Sequence, residues 1–336
     1  MEKNILNLFN EHILQQAALR FQVNLDSLSL ISDMENFVYK GESGKTPIIL
    51  RITHASHRTA ALLMGEFDWI GYLCANGVSV PHPIPSVNRK MIEAIEADQS
   101  QFLVTAFEKM EGKTIIDAGE CTPELYRKWG RVLGRMHALA QHYEPREAAC
   151  KRAEWFDNDL VRNVDQYVPG QVNFLEKYRR LTSHLQTLPK NRAAYGLIHS
   201  DFTDVNFFVR DHEIMVFDFD DCEYHWFVYD IAVILFDTLP WLPHHEMDKE
   251  GFARYFWAHF MDGYAQENTL EEYWLNQLAC FLKLREMFLY AVFHKKWDLN
   301  HLQERPAKTL HEFKHNIEND VPYLDDDTLL FMAKKI

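Results

Sequence analysis

The segment from Leu197 to Asp221, LIHSDFTDVNFFVRDHEIMVFDFDD, places six aspartates and one asparagine among residues that otherwise predict buried β-strand. Burying Val, Ile or Phe is favourable, whereas an unpaired carboxylate taken into the same environment costs several kcal/mol. The segment therefore requires compensation for its charges. Either a bound cation or a network of hydrogen-bond donors would supply it.

The same segment predicts a β-hairpin, with strands at Phe207 to Val209 and Ile214 to Phe217 and a turn at RDHE. Antiparallel pairing brings the residue before the first strand beside the residue after the second, so we expect Asn206 and Asp218 to lie side by side. Amide and carboxylate oxygens suit a hard cation such as Mg²⁺. Asp201 lies on the loop that enters the hairpin, where it can serve as a base without binding the metal.

The composition is that of a folded globular protein with a large core. The chain has 336 residues, 47% of them hydrophobic, and this length suggests two domains or one domain with two lobes. A net charge of -14 without a basic patch disfavours nucleic acid as a partner. The five cysteines are scattered and odd in number, which argues against a disulfide framework or a zinc cluster and favours a reducing cytoplasm.

The N-terminal segment MEKNILNLFNEHILQQAALRF carries charges through its length and spaces its apolar residues as an amphipathic helix does, unlike a signal peptide. No apolar run approaches the roughly 18 residues that a membrane span requires. We therefore expect a cytoplasmic protein without a membrane partner.

The first third of the chain is rich in predicted strands. NFVYKGESGKTPIILRI predicts a hairpin with strands at Phe37 to Lys40 and Ile48 to Ile52. From Thr59 to about Ala75 the apolar residues recur at helical spacing, and Glu66 falls inside that stripe. A carboxylate on a buried helix face needs a partner. Any buried cation could serve, and Arg51 is the best candidate because it lies on the strand directly upstream.

A boundary follows at EKMEGKT, where Gly112 and a shift in charge separate the strand-rich part from a mainly helical remainder. We expect a division into residues 1–108 and residues 109–336, with an α+β fold overall.

Together these motifs resemble those of the aminoglycoside phosphotransferase and choline kinase-like group, which has a two-lobed protein-kinase-like fold. HSDFTDVN is similar to its H-x-D-x4-N loop, FDFDD to its metal-binding segment, and YDIA to a segment whose aspartate, here Asp230, braces the catalytic loop. ILRI and the helix carrying Glu66 resemble its phosphate-pairing strand and glutamate helix. The resemblance runs from about Met34 to Ile234, and the order and spacing of the motifs make it specific.

The resemblance implies an enzyme that transfers the γ-phosphoryl group of ATP to a hydroxyl group of a small molecule, with Mg²⁺ as cofactor. Residues 1–108 become the nucleotide-binding lobe, and residues 109–336 contain the catalytic loop and the substrate region. Asp201 is then the catalytic base, and Asn206 and Asp218 hold Mg²⁺. Arg51 meets the α and β phosphates, and Glu66 orients Arg51.

Four features depart from the family pattern or extend it. Arg51 stands where protein kinases have lysine, and Ser200 replaces the usual glycine of the catalytic loop. SDMENFVY lacks a glycine-rich phosphate loop, so we expect Asn36 and backbone N–H groups to bind phosphate there. Asp220 is a candidate for an additional metal contact.

The acceptor is predicted from charge. Carboxylates and aromatic faces both favour a cation, so the acidic and aromatic segments after Asp218 suggest a hydroxylated amine, such as an aminoglycoside, amino sugar or amino alcohol. The residues that suggest it are Glu223, Tyr224, Trp226, Tyr229, Trp241, Asp262, Glu271, Glu272 and Trp274.

Other functions stay open at this point. A serine or threonine of a protein is an alternative acceptor, and a pseudokinase would bind nucleotide without transfer. A metal-dependent hydrolase built on His199 and Asp201 would need further ligands nearby. The histidine pairs His54 with His57 and His244 with His245 each lack a third zinc ligand in the neighbouring sequence.

Overall fold

The computed structural model describes residues 2–243 and 246–334, so His244 and His245 lie outside the described residues. The chain divides into two compact units, and two short segments from later in the chain pack with the N-terminal part. The predicted division at residue 108 stays a prediction. The first compact unit contains Met1–Gly112, Glu144–Arg152 and Met215–Asp220, and the second contains Lys113–Tyr143, Ala153–Ile214 and Asp221–Ile336.

An antiparallel sheet forms the centre of the first unit. Its strands are β1 (Ser29–Ser32), β2 (Phe37–Ser43), β3 (Thr46–His54), β4 (Pro83–Ile84), β5 (Glu93–Ala97) and β6 (Ser100–Glu108). They follow the order β1-β2-β3-β6-β4, and β5 also pairs with β6. The same unit contains helices α1 (Lys3–Leu8), α2 (Glu11–Arg20) and α3 (Ala60–Ala75).

The predicted β2–β3 hairpin is confirmed, with longer strands than expected. Both strands continue to a tight turn at Gly44 and Lys45, where Gly44 adopts a φ of 65° that suits glycine. Residues alternate between the two faces of β3. Ile48, Leu50 and Ile52 belong to the hydrophobic core of this unit, which leaves Arg51 on the opposite face.

Helix α3 begins where the Thr59 side chain accepts a hydrogen bond from the Leu62 backbone N–H at 3.3 Å, a typical N-cap. The helix packs directly on the segment around Cys150. A Cβ atom at Gly65 would lie 2.4 Å from the Cys150 carbonyl oxygen, so only glycine permits this approach. Glu66 is buried on α3, as its place in the apolar stripe predicts.

The second unit is mainly helical. Its helices are α4 (Ile115–Ala118), α5 (Pro123–Ala140), α6 (Asp159–Arg162), α7 (Val164–Tyr167), α8 (Val172–Gln186), α9 (Phe227–Thr238), α10 (Lys249–Tyr264), α11 (Glu272–Leu275), α12 (Leu278–Lys296), α13 (Glu304–Glu318) and α14 (Asp326–Lys334). Helices α5 and α10 approach each other closely at Gly130. A Cβ atom there would lie 1.8 Å from the Phe260 carbonyl oxygen, so the approach requires glycine. Within residues 2–243 and 246–334, no helix is both long and apolar enough to cross a membrane.

Four short strands complete the fold: β7 (Tyr195–Ile198), β8 (Phe207–Arg210), β9 (Glu213–Val216) and β10 (Glu223–Trp226). Strand β7 pairs with β10, and β8 pairs with β9 as the predicted hairpin. Asp211 and His212 both have positive φ at its turn, which matches the twist of a two-residue hairpin loop. Asn206 directly precedes β8, and Asp218 follows β9 after one residue.

Candidate active site

Arg51 and Glu66 form a buried ion pair in the first unit. Arg51 Nη1 donates to Glu66 Oε1 at 2.9 Å, and Nη2 donates to Oε2 at 2.6 Å. Burial acts to lower the pKa of Arg51, but the charges of Glu66, Asp220 and Asp218 raise it above its ordinary value. The guanidinium therefore stays charged, and the predicted partnership between β3 and α3 is confirmed as a contact.

Asp220 lies among cationic and amide donors. Asn36 Nδ2 donates to Oδ2 at 3.2 Å, Arg58 Nε donates to Oδ1 at 3.3 Å, and Arg51 Nη1 lies 3.8 Å from Oδ1. Burial acts to raise the pKa of Asp220, but Arg58, Arg51 and Arg152 together lower it below its ordinary value. Both carboxylate oxygens thus have cationic or amide neighbours. This favours a role as an ion-pair partner, and the metal contact stays a prediction.

Arg152 and Arg58 were not among the site residues predicted from the sequence. Buried Arg152 donates from Nη1 to the Leu62 carbonyl oxygen at 2.7 Å and from Nη2 to the Asp220 carbonyl oxygen at 2.6 Å. It therefore links the first turn of α3 to the segment that contains Asp218 and Asp220. Arg152 lies in an irregular segment without periodicity, so no local pattern indicated it.

Asp201 in the second unit is held by donors on both carboxylate oxygens. Asn206 Nδ2 donates to Asp201 Oδ2 and to the Asp201 carbonyl oxygen, each at 2.7 Å. Arg285 Nη2 donates to Asp201 Oδ1 at 2.9 Å. The side chain remains partly exposed, at 33%, so the carboxylate is both oriented and accessible to a small molecule.

The loop before Asp201 is braced by Asp230 of α9. Asp230 accepts hydrogen bonds from the backbone N–H groups of His199 at 3.0 Å and Ser200 at 2.7 Å. Ser200 has a φ of 69°, a conformation that glycine adopts more easily and that explains why glycine is usual there. His137 is buried beside Asp230, and burial lowers its pKa although Asp230 opposes the shift. Asp230 thus braces the loop before Asp201, as the resemblance implies.

A pocket of about 340 Å³ adjoins Asp201 in the second unit, and it is lined by Asp201, Thr203, Asp204, Val205, Asp237 and Trp241. Three of these residues carry carboxylates. Burial raises the pKa of Asp204, and the charge of Asp237 adds to the shift. A cation entering the pocket would relieve this like-charge repulsion.

Most of the residues predicted to recognise an amine do not line this pocket. Only Trp241 lines the pocket, whereas Trp226, Tyr229 and Trp274 are buried in the core. Aromatic residues at helical spacing pack inward because burying them removes a large apolar area from water. Asp204 and Asp237, which were not predicted, supply the acidic lining together with Asp201.

Each unit, taken by itself, has groups of the chemistry that a metal nucleotide requires. Asn206 uses its amide nitrogen on Asp201, so its Oδ1 is the atom left to meet a cation, and Asp218 contributes an exposed carboxylate. In the first unit, Asn36 Oδ1 and Arg51 Nε are buried without a hydrogen-bond partner among the described residues. Arg51 Nε is a donor that a phosphate oxygen can satisfy.

Comparisons with known proteins point to one family. The model of the phosphotransferase enzyme family matches residues 28–271. An amicoumacin kinase of Bacillus subtilis (strain 168) is 36% identical over 327 residues, covering 96% of this chain and 96% of the relative. A solved amicoumacin kinase in complex with AMP-PNP, Ca²⁺ and Ami has a TM-score of 0.91 at 35% identity, covering 98% of this chain and 100% of that chain.

A microcompartment-associated aminopropanol kinase shares the fold, with a TM-score of 0.74 at 22% identity over 92% of this chain and 95% of that chain. The β-rich first unit, the helical second unit and these neighbours define a kinase-like phosphotransferase. The chain belongs to the phosphotransferase enzyme family. It is an ATP-dependent phosphotransferase that acts on a hydroxyl group of a small molecule, with a divalent metal as cofactor. The predictions of family, α+β fold, enzyme class and cofactors are confirmed.

Proposed function

We propose that the chain phosphorylates a small hydroxylated amine, and that amicoumacin, the substrate in the name of its relative, is the first acceptor to test. The acidic pocket beside Asp201 carries the proposal. Asp201, Asp204 and Asp237 line a volume suited to a small molecule. Arg285 compensates only part of their charge, and a positively charged amine would offset the remainder. A reducing, cytoplasmic location is proposed with it, since the cysteines are odd in number and scattered.

In the proposed mechanism, the acceptor hydroxyl approaches Asp201. The hydroxyl oxygen forms a bond to the γ-phosphorus as the bond from that phosphorus to the ADP oxygen breaks, and the hydroxyl proton passes to the Asp201 carboxylate. Phosphoryl transfer depends more on positioning and charge neutralisation than on covalent chemistry. Asn206 donates to Asp201 Oδ2 and orients the carboxylate for this step.

The nucleotide is assigned to residues of the first unit. Arg51 binds the α and β phosphates, Glu66 orients Arg51, and Asn36 contributes to phosphate binding. A Mg²⁺ ion held by Asn206 and Asp218 would neutralise charge on the β and γ phosphates.

The test is an ADP-release assay with magnesium, using amicoumacin and other hydroxylated amines, each beside its N-acetylated counterpart, and a protein fraction. Acetylation removes the positive charge and leaves the hydroxyl groups. We expect turnover with at least one amine and an increase of about tenfold or more in KM for its acetylated form, since one charge-assisted hydrogen bond is lost. Equal use of both forms, or phosphorylation of protein alone, contradicts the proposal.

Asp204→Asn tests the pocket itself. It should raise KM for the amine by about tenfold and leave KM for ATP unchanged. Asp211→Asn is the matched control, because Asp211 is exposed at the β8–β9 turn and the substitution removes the same charge. A similar rise in the control would point to a general field effect and contradict the assignment of Asp204.

A further inference from the structure

Arg285 is contributed by α12, beyond residue 271 at which the family match ends. Its side chain is only 8% exposed. The guanidinium contacts two carboxylates of the pocket: Nη2 donates to Asp201 Oδ1 at 2.9 Å, and Nε donates to Asp237 Oδ1 and Oδ2 at 3.2 Å and 3.0 Å. Nη2 also donates to Asp237.

This arrangement differs from an ordinary surface ion pair. Burial acts to lower the pKa of Arg285, but Asp237, Tyr229 and Asp201 raise it well above its ordinary value, so the guanidinium is permanently charged. Three aspartates line the pocket, and Arg285 is the cation that contacts two of them. Without it, Asp201 and Asp237 would repel each other and their side chains would lose a common anchor.

The contacts also determine the orientation of the Asp201 carboxylate. Arg285 binds Oδ1 and Asn206 binds Oδ2, so donors from α12 and from the start of β8 fix the carboxylate at both oxygens. An ionised carboxylate offers about four lone-pair sites, so both oxygens keep acceptor capacity for a substrate hydroxyl. Productive geometry for transfer is narrow, and a displacement of about 1 Å can cost about 10²-fold in rate.

We propose that Arg285 is a positioning residue that holds Asp201 in the orientation needed to accept the hydroxyl proton, with Asp237 as the anchor of the guanidinium. The inference rests on the proposed role of Asp201 as the base. It makes the C-terminal helical region, outside the family match, part of the apparatus for transfer.

The experiment compares Arg285→Met, Arg285→Lys and the control Lys283→Met. Lys283 lies on the same helix and pairs with the buried carboxylate of Glu286 at 2.5 Å, so its replacement also removes a cation from α12. We expect Arg285→Met to lower kcat by about 10–100-fold with little change in KM for ATP, and Arg285→Lys to recover part of it. Lys283→Met should keep the wild-type kcat.

A double variant separates positioning from general stability. If Arg285 acts through Asp201, then Asp201→Asn combined with Arg285→Met should be no slower than Asp201→Asn alone. The proposal would be overturned if the kcat defects of Asp201→Asn and Arg285→Met multiply in the double variant. It would also be overturned if kcat is unchanged in both Arg285 variants, or if Lys283→Met loses as much kcat as Arg285→Met. If Arg285→Met does not fold, an unchanged kcat in Arg285→Lys alone contradicts it.

The turnover of Asp201→Asn distinguishes a failure of the proposed mechanism from a failure of the inference about Arg285. Full turnover in that variant would contradict the proposed mechanism itself. Loss of turnover in Asp201→Asn, with normal turnover in the Arg285 variants, would contradict only the inference about Arg285.

Discussion

Each compact unit contains a cluster of arginines and carboxylates, and the two clusters differ in charge ratio. The arginine cluster of the first unit consists of Arg51, Arg58, Arg152, Glu66 and Asp220, so that three cations meet two carboxylates. Four of these side chains are buried, and their donors and acceptors mostly satisfy one another.

The aspartate cluster of the second unit consists of Asp201, Asp204, Asp237 and Arg285, so that three carboxylates meet one cation. It lines a pocket, and Asp201 is partly exposed. The same ion-pair chemistry thus gives a cationic, closed cluster in one unit and an anionic, accessible cluster in the other. In the proposed function, the first cluster binds the phosphates of the nucleotide and the second binds an acceptor that carries a positive charge.

The largest expected effect lies in the aspartate cluster. Asp201→Asn keeps the shape of the side chain but removes the base, so turnover should fall by about 10²–10⁴-fold. Binding of a non-hydrolysable ATP analogue, measured by calorimetry, should persist because the arginine cluster is unchanged. An equal loss of nucleotide affinity would mean that the two clusters do not divide these tasks.

The predicted metal ligands should give the next largest effect. Asp218→Ala should raise the magnesium concentration for half-maximal activity by on the order of 10²-fold, and Asn206→Ala by about tenfold, because only Asp218 supplies a formal charge. A magnesium titration of each variant measures this. An unchanged midpoint in either variant would count against its assignment as a ligand.

The sequence predicted those features that depend on short-range patterns. The β8–β9 hairpin follows from its strand and turn residues, and the burial of Glu66 follows from its place in the apolar stripe of α3. The ion pair between Glu66 and Arg51 was also predicted, because a buried carboxylate requires a cation and the strand that carries Arg51 lies directly upstream.

Long-range partners could not be predicted in this way. Arg285 contacts Asp201 across 84 residues, and Arg152 contacts Asp220 across 68. Arg152 has no periodic neighbourhood. Arg285 falls inside an apolar stripe, between Phe281 and Leu282 before it and Phe288 and Leu289 after it, so its burial was readable, but the pattern does not identify its partner. Asp204 lay inside the recognised loop motif, but at a position where the motif specifies no residue type, so its contribution to the pocket depended on the fold.

A double-variant cycle at Arg51 and Glu66 tests whether the arginine cluster acts as a unit. Each single change to alanine should raise KM for ATP by about 10–50-fold, since it removes charge-assisted hydrogen bonds and leaves the partner unpaired. The double variant should be little worse than either single variant. Defects that multiply in steady-state assays would show that the two side chains act independently.

The smallest expected effect concerns Arg152, which joins α3 to the Asp218–Asp220 segment through two carbonyl oxygens. Arg152→Gln shortens the side chain and removes its charge, so α3 and this segment should hold their relative position less tightly. A net loss of about 1 kcal/mol corresponds to an increase of roughly fivefold in KM for ATP. Arg152→Lys should recover little, because one ammonium group cannot reproduce two contacts made by separate guanidinium nitrogens.

Arg146→Gln is the matched control for Arg152. Arg146 lies in the same segment and pairs with Asp68 of α3 at 3.0 Å, but its side chain is 77% exposed. Asp68 is buried but keeps the hydrogen bond from the Arg146 backbone N–H at 3.1 Å in this variant. The Arg146 side chain does not contact Asp220, so KM for ATP should stay within about twofold of wild type. If both variants raise KM equally, the effect belongs to the attachment of the segment to α3. If neither raises it, the arginine cluster needs only Arg51, Arg58 and their carboxylate partners to bind nucleotide.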